Sequence, residues 1–446
     1  MKKSRFLALF FLLALLLPSA ALALEDPAPA ATSALLVDAT YDEVLYELNA
    51  HEKRYPASIT KVMTSLLTLE AVDRGELALT DVITAPPGIH NDLSADSSTA
   101  NIKSGEQMTL LDLLYCVLLP SANEACNVLA NVVAGGTEEF VALMNQRAAE
   151  LGMTGTHFSN THGLHDENHY TTAWDIYLMS RQAMKNETFR KIVSTAQYIV
   201  PATNVSAERE FYNTNALLSQ LKYRGYVYPS AIGIKTGSTG EAGLCLVSAA
   251  EEDGRTLYCV VLGAELTHQE DNSYKRMNFT ETIRLFDWGF DNFSYRTILE
   301  SSDPVEQVEV TLSDTDHVLV RPEGSLSALL PNDLDISQFT QTVTLDAKSV
   351  EAPVAEGQVL GKITLSYDGE EYGSLDLVAL NDVERSELLY RIDRAEKFFG
   401  QTWVKVAIAA LIVLILVLII AGTMRGKRKR RRGRSYVGGY GGRRRR

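Results

Sequence analysis

The sequence predicts an α/β (α+β) domain, a small all-β sandwich and one C-terminal transmembrane helix, in that order. Three observations carry this. Up to about residue 300, apolar positions alternate between the two-residue period of strands and the 3.6-residue period of helices. From about Ser302 to Leu380 only short alternating runs recur, separated by turn residues. Val406–Gly422 then runs for 17 residues without a charge.

Residues 1–23 read as a signal peptide. Lys2, Lys3 and Arg5 precede an apolar run from Phe6 to Leu17, and Ala21-Leu22-Ala23 offers a small-x-small cleavage pattern. An Ala- and Pro-rich linker follows. Residues 24–300 are expected to form the main domain. Ala34–Asn49 predicts two strands joined near Thr40–Glu43, leading into a helix over Ser58–Arg74 that stops at Gly75. Val82–Ser104 reads as a long polar loop. Met108–Val133 is helical but broken at Pro120-Ser121-Ala122-Asn123, which places Ser121 and Asn123 on an irregular turn. Phe140–Leu151 and Trp174–Met184 are helical, and Tyr198–Leu218 is partly strand. Ala231–Gly240, Gly243–Ala250 and Thr256–Gly263 read as strands, and Thr280–Phe290 as a closing helix.

Residues 301–383 form the expected sandwich, read as a spacer or docking module. Residues 384–402 are a charged, amphipathic stalk and residues 403–424 the membrane span, apolar on every face. The tail, residues 425–446, holds 12 Lys or Arg and no acid, so the positive-inside rule keeps it cytoplasmic and everything before the span outside. All 56 acids lie between the signal and the tail, against about half as many bases, which argues against nucleic acid as the main partner.

Four cysteines fit no zinc spacing. Cys245 and Cys259 fall on two strands of one hairpin turning near Asp253-Gly254, facing opposite sides of the sheet. They read as buried small apolar residues. His157, His162, His165 and His169 crowd one loop without a ligand spacing or a clear helix, so they read as loop histidines bonded to backbone groups, and no metal or cofactor is expected.

Chemistry concentrates in three short motifs. Ser58-x-x-Lys61 puts a hydroxyl and an amine one turn apart, and an amine kept neutral by burial can take the serine proton. Ser121-x-Asn123 adds a second hydroxyl and an amide. Lys235-Thr236-Gly237 adds a cation, a hydroxyl and a glycine that permits close approach of a ligand to the backbone. Each motif is weak alone; their order in an exported chain is specific.

Together they resemble the penicillin-binding protein and serine β-lactamase superfamily. Tyr55-Pro56-Ala57-Ser58-Ile59-Thr60-Lys61, Asn160-Thr161-His162-Gly163-Leu164, His169-Tyr170-Thr171-Thr172-Ala173 and Gly233-Ile234-Lys235-Thr236-Gly237 resemble the low-molecular-weight D-alanyl-D-alanine carboxypeptidases more closely. The resemblance implies an antiparallel sheet with a helical subdomain. It implies Ser58 as nucleophile, Lys61 as general base, Ser121 as proton relay and Asn123 as holder of the substrate amide. It implies Lys235 and Thr236, beside Gly237, as the carboxylate site, and the N–H groups of Ser58 and Ser238 as the oxyanion hole. Peptidoglycan stem peptides ending in D-Ala-D-Ala are the implied substrate and β-lactams covalent inhibitors.

There are departures from the family pattern. Ala122 stands where glycine is common in the second motif, Ser238 where histidine is frequent, and Asn278 precedes Phe279 where arginine is common, with Arg276 two positions earlier. Three other functions compete. A D,D-endopeptidase shares the chemistry. A class A-like β-lactamase needs an acid in the loop after the second motif, yet Leu151–His165 has none and Asp166 and Glu167 come later. A non-enzymatic penicillin sensor would need a cytoplasmic domain larger than this tail. A Gly-x-Ser-x-Gly hydrolase is excluded because that pentapeptide does not occur.

Overall fold

The structure, a computed structural model, describes residues 24–302 and 304–432. The signal-peptide assignment and the last part of the basic tail lie outside the described residues. The chain divides into two units, the first running to Ser294 with Leu329–Leu334 added, and the second covering Tyr295–Ala328 and the chain from Asp335 on.

The first unit is built on a five-stranded antiparallel sheet. Its strands are β1 (Ser33–Asp38), β2 (Glu43–Leu48), β3 (Ala231–Thr239), β4 (Gly243–Glu252) and β5 (Arg255–Ala264), in the spatial order β2-β1-β5-β4-β3. The β4–β5 hairpin turns through Asp253 and Gly254, both at positive φ, as a two-residue turn between twisted strands requires. β1 shows why both faces of the sheet are apolar. Leu35 and Val37 enter one core and Ala34 and Leu36 the other, following the two-residue period. Cys245 and Cys259 likewise fall in different cores, and all four cysteines are buried and unpaired.

Helices α1 (Lys61–Asp73), α2 (Leu110–Leu118), α3 (Asn123–Ala134), α4 (Thr137–Glu150), α5 (Ala173–Ala183) and α6 (Glu187–Ser194) fill the larger core. Helix α7 (Met277–Asn292) covers the opposite face through Phe279, Leu285 and Phe286. Thr109, Thr172 and Asn186 cap α2, α5 and α6 by accepting backbone N–H bonds. Helix α3 ends at Gly135 in the left-handed region. The loop before α2 holds a short strand, Val82–Thr84, paired with Gln107–Thr109, and Gln197–Val200 pairs with Arg209–Tyr212.

In the second unit the short runs form a six-stranded sheet. Its strands are β6 (Glu306–Thr311), β7 (His317–Pro322), β8 (Thr340–Leu345), β9 (Ser349–Glu351), β10 (Val359–Tyr367) and β11 (Glu370–Ala379). The spatial order is β8-β10-β11-β7-β6-β9, and β6 with β9 is its parallel pair. Helix α8 (Glu387–Gly400) follows, then α9 (Thr402–Arg432). Thr402–Met424 is apolar and long enough to cross a membrane. The helical backbone continues into the start of the basic tail, which composition alone did not predict.

Candidate active site

Ser58 does not sit on the α-helix itself. Ala57–Thr60 is a single 3-10 turn, and α1 begins at Lys61. In a 3-10 turn residues i and i+3 eclipse, so Ser58 and Lys61 face the same way more closely than an α-helix would bring them. Lys61 Nζ lies 2.9 Å from Ser58 Oγ.

Two further contacts hold that amine in place. Lys61 Nζ donates to Asn123 Oδ1 at 2.7 Å and to the His162 carbonyl oxygen at 2.7 Å. Neither acceptor has a proton to offer. When the amine is neutral its two N–H groups serve these two acceptors and its lone pair is left for the Ser58 hydroxyl; when it is protonated it donates to all three oxygens. Lys61 is fully buried, and burial pulls its pKa down to about 8, with neighbouring Cys126 and Glu124 opposing the fall.

The turn is held in place from behind. Ser159 N–H donates to His169 Nδ1 at 3.0 Å, so the ring proton is on Nε2, which donates to Thr60 Oγ1 at 2.8 Å. Thr60 in turn donates to the Ala57 carbonyl at 2.8 Å. Ala57 has φ +48°, a costly conformation for a residue with a Cβ, and this relay fixes it. Burial, followed by the nearby His162, pushes His169 down to about 3, so the ring is neutral. The loop that supplies the His162 carbonyl is knotted by Asn160. Its Oδ1 accepts from the His162 and Gly163 N–H groups, and its Nδ2 donates to the Leu164 carbonyl at 2.9 Å. Gly163, at φ +91°, packs against the Ala57 carbonyl where a Cβ would collide. His162 Nδ1 accepts from Leu164 N–H, and Nε2–H donates to Asp92 Oδ2 at 3.0 Å.

The histidines therefore organise loop backbone. His157 Nδ1 bonds the Asn168 carbonyl at 2.7 Å, and His165 packs edge-on to Tyr55.

The second motif arrives through the break between α2 and α3. Ser121 has φ +68°, is 4% exposed, and its Oγ has no hydrogen-bond partner among the described residues. Asn123 is the first residue of α3 rather than part of the turn.

The third motif lies on β3, the edge strand. A Cβ on Gly237 would stand 2.7 Å from the Pro56 carbonyl and 3.2 Å from Ser58 N, so only glycine lets the strand edge meet the nucleophile turn. Thr236 Oγ1 donates to Thr214 Oγ1 at 2.6 Å. Lys235 is 1% exposed, and its Nζ donates to the Thr236 carbonyl at 3.1 Å. Burial lowers its pKa well below the ordinary lysine value, and the Lys61 and Lys222 charges lower it further.

A cavity of about 140 Å³ opens between these motifs, lined by Ser58, Ser121, Thr236, Gly237 and Ser238. Lys222, Arg276 and Asn278 also line it. The structure thus brings Ser58, Ser121, Thr236, Gly237 and Ser238 together at one cavity, with Lys61, Asn123 and Lys235 buried just outside its lining. Sequence reasoning missed the His162 carbonyl, Thr214 and Lys222. A backbone carbonyl leaves no signal in residue type, and Thr214 and Lys222 belong to no recurring local pattern.

A family profile described as D-alanyl-D-alanine carboxypeptidase matches residues 20–266, more than half of the chain. The chain belongs to the D-alanyl-D-alanine carboxypeptidase family. A second profile, the C-terminal domain of penicillin-binding protein 5, matches residues 293–385. The chain is 30% identical over 385 residues to the D-alanyl-D-alanine carboxypeptidase DacC of Escherichia coli, covering 85% of this chain and 88% of that protein. It is 29% identical over 366 residues to DacF of Bacillus subtilis, covering 82% and 88%. Penicillin-binding protein 5 from Haemophilus influenzae superposes with a TM-score of 0.58 at 28% identity, over 81% of this chain and 99% of that one. As a member of this family the chain is a serine peptidase acting on D-Ala-D-Ala peptides, with the penicillin-binding-protein fold and a β-rich second domain.

Proposed function

We propose that Ser58 Oγ attacks the carbonyl carbon of the penultimate D-alanine of a peptidoglycan stem peptide. The Ser58 proton passes to Lys61 Nζ as the O–C bond forms. The N–H groups of Ser58 and Ser238 stabilise the oxyanion. Ser121 Oγ relays a proton to the leaving nitrogen, the C–N bond breaks, and D-alanine departs. Water then attacks the ester, with Lys61 again taking the proton, and the shortened peptide is released. One observation supports this above the others: the buried Lys61 amine lies 2.9 Å from Ser58 Oγ and is held there by Asn123 Oδ1 and the His162 carbonyl oxygen. β-Lactams acylate the same oxygen.

The C-terminal apolar helix is a membrane anchor in this reading, with residues 425–446 cytoplasmic and the catalytic unit outside. The test mixes the full chain in detergent with benzylpenicillin, and separately with a peptide ending in D-Ala-D-Ala. Mass spectrometry follows the Ser58 peptide and free D-alanine. A penicilloyl adduct on Ser58, D-alanine release, and loss of both in Ser58→Ala are expected. Turnover retained by Ser58→Ala would sink the assignment.

A further inference from the structure

Four polar side chains close a circuit around Lys61 without belonging to any of the three motifs: Asp92, Asn127, Thr161 and His162. They come from the long loop between Val82–Thr84 and Gln107–Thr109, from helix α3, and from the Asn160–Leu164 loop. Asn127 stands four residues after Asn123, so the two share one side of α3. Asn123 meets the Lys61 amine, and Asn127 meets both loops. Asn127 Nδ2 donates to the Ile89 carbonyl at 3.1 Å and to Asp92 Oδ1 at 2.8 Å, and its Oδ1 accepts from the Thr161 hydroxyl at 2.7 Å. Helix α1 grips the second loop at two adjacent carbonyls. Thr64 Oγ1 donates to that of Thr161 at 2.5 Å, and Lys61 Nζ to that of His162 at 2.7 Å.

The His162 ring is where this circuit depends on a single bond. The ring is 2% exposed, and its Nδ1 is taken by the Leu164 N–H. The proton therefore sits on Nε2, whose one partner among the described residues is Asp92 Oδ2 at 3.0 Å. Burial lowers the ring's pKa although the Asp92 bond opposes the fall, so near neutral pH the ring carries this one proton. The same bond holds the Asp92 carboxyl below the usual carboxylate range, so the acceptor is ionised. The Asp92 side chain is 47% exposed, and the ring it serves is buried. Removing the carboxylate orphans a buried N–H. Relieving that cost shifts the loop, and with it the carbonyl of the same residue, the one that meets Lys61.

We infer that Asp92 is a positioning residue for the Lys61 base: by accepting the His162 ring proton it fixes the His162 carbonyl against the Lys61 amine. Asp92 lies 70 residues before His162 and acts through one ring and one carbonyl, not by contact with the reacting atoms. This rests on the reading of Lys61 as the base of Ser58 acylation.

The test uses the full chain in detergent and benzylpenicillin. Stopped-flow measurement gives the limiting rate of Ser58 acylation and the penicillin concentration at half that rate, and mass spectrometry gives the end-point adduct. Asp92→Ala and His162→Ala are each expected to lower the limiting rate about tenfold, with the half-saturating concentration within about twofold and the adduct still complete. The double variant is no slower than either single one, because both remove the same link. A complete adduct marks folded protein; where Asp92→Ala falls short of it, Asp92→Ser, too short to reach the ring, takes its place. A limiting rate within about twofold of the wild type overturns the inference and leaves the Lys61 reading standing. So does a loss confined to the half-saturating concentration, or a double variant slowed by the product of the two factors. Lys61→Ala that acylates at the wild-type rate overturns the reading of Lys61 itself, and this inference with it.

Discussion

At the scale of single residues, burial lowers the pKa of two bases in the site, and each predicts a pH response. Lys61 is the base only when neutral, and its pKa is lowered to about 8. Below that value the neutral fraction falls tenfold per pH unit. The rate of Ser58 acylation by penicillin at limiting concentration should therefore drop about tenfold from pH 7 to pH 6 and level off above about 8. A flat profile across pH 6–9 would remove Lys61 from the role. His169 acts on stability instead. Its folded pKa, about 3, lies below the ordinary histidine value of about 6.5, so the unfolded chain binds more protons between them. Stability is full above about 6.5 and is lost as pH falls towards 3, by at most about 1.4 kcal/mol per pH unit. Urea midpoints at pH 7 and pH 5 should show this. His169→Gln should make the midpoint less sensitive to pH than in the wild type; equal slopes would contradict the account.

At the scale of elements, the site is a meeting of backbones. The 3-10 turn, the Asn160–Leu164 loop and the edge of β3 approach more closely than side chains allow, and Gly163 and Gly237 sit at the two contacts. Gly237→Ala must push the strand away from Pro56 and Ser58. The sheet tolerates a small shift, so the melting temperature should change by a few degrees at most, while acylation falls about 100-fold through misplacement of the oxyanion donors. Stopped-flow measurement of penicillin acylation beside a thermal melt separates the two. Acylation at the wild-type rate would mean that the close approach is not needed. Elements also explain what the sequence left unread. Helix α6 carries Phe189, Ile192 and Val193 at helical spacing behind an Asn186 cap, a signal that was present but spread over only eight residues.

At the scale of the whole molecule, each unit has its own sheet, and the apolar helix at the C-terminus is of a different nature from both. Val406–Gly422 is apolar all round and exposed throughout, as a segment solvated by lipid should be. A chain ending at Gly400 should remain soluble without detergent and keep kcat/KM for D-Ala-D-Ala peptides within about twofold. The full chain should sediment with membranes. Loss of activity in the shortened, folded protein would show that the apolar helix contributes to catalysis.

The alternation of periods in the first 300 residues, the broken helix at Pro120, the hairpin at Asp253-Gly254 and the apolar C-terminal run were all legible because each is set by neighbours in the chain. Ser58 and Lys61 were legible for the same reason, being three residues apart. What the sequence could not supply was the meaning of distance across the fold. The Lys61 amine is held against Ser58 by Asn123 and by the carbonyl of His162, 62 and 101 residues away. Lys235 was readable as a cation in a motif, but whether its ammonium faces the cavity or the core depends on which side of an edge strand is covered. Only the packing of the Ala57–Thr60 turn and α6 against that strand decides it, by burying Lys235.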